Sequence, residues 1–142
     1  MPPILRSILA VVIGWIVGSA VNMGLVSVGH SVYPLEGVDI NDMEALAAAM
    51  PNFTAEQFIF PFLAHALGTL VGAAVAALIA SRHRMRVALI VGAIFFVGGI
   101  VVNFMLPAPT WFKALDIILA YLPMAWIGGR IGLSLRPDAT EV

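Results

Sequence analysis

Long apolar stretches alternate with short polar breaks along this chain. Residues 8–28, 58–80 and 87–106 contain no Asp, Glu, Lys or Arg. A membrane-spanning helix needs about 20 such residues, at a rise of about 1.5 Å each against a hydrocarbon core of about 30 Å. A fourth run, 111–135, is interrupted by Lys113, Asp116 and Arg130, and its uncharged middle, 117–129, is too short to span alone. It reaches bilayer length if Arg130 snorkels to the surface and Leu133 and Leu135 extend the apolar stretch. The pattern predicts an all-α membrane protein, a bundle of four transmembrane helices forming a single membrane domain over 1–142.

Composition agrees. Hydrophobic residues make up 61% of the chain and charged residues only 11%, against roughly half and roughly a quarter in soluble domains. A soluble fold of this size has too few charges to cover that much apolar surface, whereas the lipid bilayer is itself a suitable partner for it. The net charge of −1 gives no reason to expect nucleic acid. The placement of charge is more telling. Arg6, Arg82, Arg84, Arg86, Arg130 and Arg136 fall on one side if the chain crosses four times, with only Lys113 on the other. Basic residues favour the cytoplasmic side, so both termini are predicted to be cytoplasmic. Three crossings would split the arginines. A cleaved signal peptide is the rival reading of the first run, since Arg6 and Gly18-Ser19-Ala20 imitate one, but the apolar run continues to Val28.

The outer loop, 30–57, carries Glu36, Asp39, Asp42, Glu44 and Glu56 and no basic side chain except His30. Asn41-Asp42-Met43-Glu44 has nearly the form of a capping box ahead of a helix-prone stretch, 45–50, ended by Pro51. Thr54-Ala55-Glu56-Gln57 repeats the pattern before the second span. A short capped or amphipathic helix is expected there, either as a lid or cation-attracting mouth or as a solvated connection. The segment 106–113 reads as a tight turn with Trp111 and Phe112 at the interface. Trp15 and Trp126 fall nearer mid-span, where packing is expected of them.

Helices in lipid associate through small residues and interhelical hydrogen bonds. Gly14, Gly18 and Asn22 share one face of the first span, and His65, Gly68, Gly72 and Ala76 one face of the second. Gly92, Phe96, Gly99 and Asn103 do so in the third, and Tyr121, Ala125, Gly128 and Gly132 in the fourth. The eight glycines of these stripes are the expected packing seams. The stripes also look duplicated. Gly18 to Asn22 resembles Gly99 to Asn103, and Leu63-Ala64-His65 resembles Leu119-Ala120-Tyr121, as in a parallel repeat of two hairpins.

Depth singles out a set of polar residues. Asn22, His65, Asn103 and Asp116 all fall roughly 6–11 Å outward of their span midpoints, with Tyr121 nearer the middle and His30 and Glu36 just above. Such groups often mark a site. His65 can exchange protons near neutral pH, and Asp116 can serve as its charge partner or as a cation ligand. The competing reading is that Asn22, His65 and Asn103 only hold helices in register. On a straight helix Asp116 lies about 140° around from Tyr121, off the small-residue seam and near the headgroups beside Lys113.

With no Cys and three His, no thiolate chemistry, metal site or cofactor is expected. No Ser-His-Asp spacing points to a hydrolase. The segments 62–72, 106–112 and 121–126 resemble those of small uncharacterised four-transmembrane bacterial inner-membrane proteins. The resemblance implies a multi-pass location in that membrane and no activity. Three functions stay open: a small-solute or ion transport or channel-type homo-oligomer, an accessory subunit packing against a larger membrane complex, and an enzyme acting on lipid or quinone.

Overall fold

A computed structural model describes residues 1–136, which are all-helical with no strand among them. The helices are α1 (Pro3–Val32), α2 (Met43–Ala49), α3 (Ile59–Ile79), α4 (Arg84–Met105), α5 (Thr110–Leu119) and α6 (Leu122–Leu135). Two 3₁₀ turns, Met50–Asn52 and Ala55–Phe58, join α2 to α3. Four helical stretches are long and apolar enough to cross a membrane: Pro3–Val32, Ala55–Ile79, Arg84–Met105 and the α5–α6 pair, Thr110–Leu135.

The caps expected in the long loop form. The Asp42 carboxylate accepts from the backbone N–H of Glu44 and Ala45 (3.0 and 3.2 Å), and α2 gives way to a 3₁₀ turn containing Pro51. The Gln57 side chain accepts from the Thr54 N–H at 2.8 Å, which opens the turn leading into α3.

The fourth span departs from expectation. It is not one helix but two, broken at Ala120–Tyr121. Pro123 in the first turn of α6 has no N–H to offer the Leu119 carbonyl, and its ring crowds that carbonyl. Tyr121 accordingly leaves helical geometry, at φ −117° and ψ −81°.

Helix α3 is the axis of the bundle, packing on α1, α4 and α6, while α4 also packs on α6 and α1. Small residues set these approaches. A Cβ at Gly14 would lie 2.5 Å from the Gly72 carbonyl oxygen, and one at Gly72 2.6 Å from that of Gly14. Gly18 and Gly68 face each other in the same way. On the other side of α3, Gly128 and Gly132 abut the carbonyls of Leu70 and Ala74. Gly92 abuts Ala125, and Gly99 the Tyr121 ring. Helix α1 is the most outward-facing span, presenting Ile8, Val12, Ile16 and Met23. Trp15 (47% exposed) and Trp126 (53%) also face outward, contrary to the packing role expected of them. The small-residue seams occupy the interior faces instead, and Arg130 lies over the Trp126 ring at 5.7 Å.

One end of the bundle is closed by arginines. The last carbonyls of a helix lack internal partners, and α3 ends at Ala80 without a glycine cap. Here guanidinium groups take them. Arg84 Nε donates to Ala77 O (2.7 Å), Arg136 to Leu78 O (2.6 Å), and Arg6 to Ile79 O (2.6 Å). Arg84 also donates to Gly132 O (2.7 Å) and to Arg136 O, tying α6 to the same knot. Positive charge at a helix C-terminus is favoured by the helix dipole as well.

Candidate functional site

At the opposite end, beneath the long loop, the four polar residues of α3, α4 and the broken span meet. Asp116 is 0% exposed. Its Oδ1 lies 2.8 Å from His65 Nδ1, and its Oδ2 accepts from the Tyr121 hydroxyl (2.9 Å) and, at longer range, from Asn103 Nδ2 (3.4 Å). Asn103 Nδ2 also donates to Gly99 O at 2.9 Å. Removing a carboxyl group from water is costly unless polar partners surround it, and three converge here. The Tyr121 ring stacks on the His65 imidazole (5.7 Å between centroids, 30°), with Phe96 edge-on to Tyr121.

The break in the fourth span produces this arrangement. The straight-helix angle that put Asp116 off the seam and among headgroups does not hold, because α5 and α6 are not coaxial turns of one helix. Asp116 is buried with Tyr121, and Gly99 leaves the room that the Tyr121 ring fills. Lys113, expected at the surface beside Asp116, donates to the Asn103 carbonyl at 2.7 Å. It caps the end of α4 as the arginines cap α3.

Above the cluster is a cavity of about 280 Å³ between α1, α3, α4 and the loop. Asn22, His65 and Asn103 line it, and Asp116 and Tyr121 lie behind His65 rather than in its wall. Asn22, on α1, belongs to the cavity but not to the hydrogen-bonded set. The roof is the loop and α2, through Leu35, Ile40, Met43, Leu46 and Met50. Leu46 and Met50 pack on toward Phe58, Leu106 and Phe112. The five acidic residues of the loop are exposed and none lines the cavity. Its walls are therefore mainly apolar, with polar groups in a minority.

Three further polar residues lie in or near the site. His30 lines the cavity, and its Nδ1 is buried without a partner. Gln57 joins it there. Thr69, one helical turn below His65, is fully buried with an unpartnered hydroxyl. Among the described residues, no three His, Asp or Glu side chains gather as metal ligands.

Four bilayer-length apolar helical stretches, with a His–Asp–Tyr–Asn cluster between them, place this chain in the class of small multi-pass membrane proteins. No protein-family model, curated protein or solved structure matches it.

Proposed function

We propose that this protein binds an amphipathic small molecule in the loop-covered half of the bilayer, holding its polar group against His65 and its apolar body in the cavity. The observation that carries this reading is the cavity's composition: Val26, Phe60, Val102 and the apolar roof surround a minority of polar groups that includes His65. Ligand pockets have this character, at about 300–1,000 Å³, with few polar groups fixing orientation. The basic end, where α1 begins and α6 ends, faces the cytoplasm of a bacterial inner membrane in this proposal, since lysine and arginine bias sets orientation. The cavity then opens in the outer leaflet. An origin by duplication accords with the stacking of His65 on Tyr121, which correspond in the two halves.

Transport by a homo-oligomer is the second reading, favoured by the polar layer itself. Within one copy a solute passing inward from His65 meets Ala73, Ala77, Ala88 and Ala125, all fully buried in one cluster. Its route would have to run between copies.

The test is reconstitution in lipid nanodiscs followed by native mass spectrometry of bound amphiphiles. A cavity-filling Val26→Trp variant, matched to wild type in thermal stability, is expected to lose them. Retention of the same molecules at the same occupancy would refute the binding reading. Flux through wild-type vesicles that disappears in His65→Ala would support transport instead.

A further inference from the structure

We infer that the amphiphile is an alcohol whose hydroxyl donates a hydrogen bond to Nε2 of His65. This rests on the binding reading above and specifies the chemical class of its ligand. Asp116 Oδ2 already accepts from Tyr121 and Asn103, and we take Oδ1 as an acceptor as well. Nδ1 of His65, 2.8 Å from Oδ1, is then the protonated nitrogen. In the neutral imidazole the other nitrogen, Nε2, carries a lone pair and can only accept. His65 is partly exposed and lines the cavity, while Nδ1 is turned to Asp116. Nε2 is left as the ring's acceptor on the cavity side.

The surroundings make that preference selective. A lone pair facing mainly apolar walls gains from an O–H donor and loses when a ligand excludes water without replacing its hydrogen bond. A site built to bond a hydroxyl discriminates strongly against an analogue that lacks it. A ketone or quinone carbonyl, being an acceptor, meets Nε2 lone pair to lone pair. The arrangement is Asp–His–hydroxyl, with the hydroxyl supplied by the ligand and the carboxylate fixing the tautomer, as in hydrolytic triads.

The tautomer can be reversed by one substitution. In Asp116→Asn the side-chain amide can donate to Nδ1, which moves the ring proton to Nε2 and turns the cavity-facing nitrogen into a donor. The experiment measures equilibrium binding of 1-dodecanol, 1-methoxydodecane and 2-dodecanone to the full chain in nanodiscs. Each is corrected for partition into empty discs. Wild type is expected to bind the alcohol about tenfold more tightly than the ether, the size of one hydrogen bond. Asp116→Asn should bring that ratio to about one or below and improve ketone binding. The ¹⁵N resonances of His65 report the tautomer directly and should switch between the two proteins. Equal binding of alcohol and ether by wild type would overturn the hydroxyl assignment while leaving amphiphile binding intact. Loss of binding by all three would overturn both. If Asp116→Asn does not fold, His65→Phe replaces it. That variant keeps a ring in the cavity and should equalise alcohol and ether, and a persisting alcohol preference would sink the inference.

Discussion

Asp116 is the residue on which the site turns. It is wholly buried and hydrogen-bonds with side chains from three elements of the bundle. Replacing it by Ala would leave the His65, Asn103 and Tyr121 donors facing a void. Removing one partner of a buried charged network costs on the order of 3–5 kcal/mol. Tyr121→Phe removes one hydroxyl and keeps the ring that stacks on His65, so its cost should be nearer about 1–2 kcal/mol. Equilibrium unfolding in mixed micelles is expected to rank wild type above Tyr121→Phe and Tyr121→Phe above Asp116→Ala. A smaller effect at Asp116 than at Tyr121 would mean that the carboxylate is not the hub. The basic residues follow a related logic. Arg6, Arg84, Arg136 and Lys113 all spend donors on helix-end carbonyls. Sequence reading treated them as markers of sidedness, which needs only their position. Their capping role depends on which helix end each one reaches, and spacing does not encode that.

Helix approach depends on where glycine meets backbone, and the chain contains its own control. Gly18 and Gly24 both lie in α1. A Cβ at Gly18 would sit 2.5 Å from the Gly68 carbonyl and 2.8 Å from the Phe95 ring, whereas one at Gly24 meets nothing within 4 Å. Gly18→Ala must push α1 away from α3, a strain of about 1–3 kcal/mol. Gly24→Ala should be neutral or stabilising by up to about 1 kcal/mol, the helix-propensity difference. Thermal melts of the two variants should therefore move in opposite directions or differ plainly in size, and equal losses would refute the crossing described. These seams were legible because four-residue spacing of small side chains is a local property. The break in the fourth span was less so. Pro123 was its signal, but many transmembrane helices bend around proline without parting, and apolar continuity across 117–129 argued for one helix. Without the break, Asp116 lies about 140° around the helix from Tyr121 and near the headgroups.

At the scale of the whole molecule the chain is electrically two-ended. Arg6 reaches the last turn of α3, so the start of the first span and the turn at residues 80–83 lie together with Arg84 and Arg136. The exposed acids of the loop lie with the cavity at the other end. The number of bilayer-length apolar helical stretches and this asymmetry were readable from the sequence, because bilayer thickness and the location of arginines constrain them directly. The apolar character of the cavity was not. Depth along a helix says which polar residues share a level, but only folding the loop over them shows that Leu46 and Met50, rather than the acids beside them, form the roof. The absence of cysteine from the chain makes the orientation simple to test, since a single introduced thiol has no competitor. Arg82→Cys, in the exposed turn between α3 and α4, and Asn41→Cys, in the exposed loop, sit at opposite ends. In intact bacterial cells a membrane-impermeant maleimide should label Asn41→Cys at once and Arg82→Cys only after the membrane is permeabilised. The opposite pattern would invert the topology and put the cavity in the cytoplasmic leaflet, with ligand drawn from that side. Labelling of both before permeabilisation would mean that Ala55–Ile79, the one candidate span between them, does not cross the membrane.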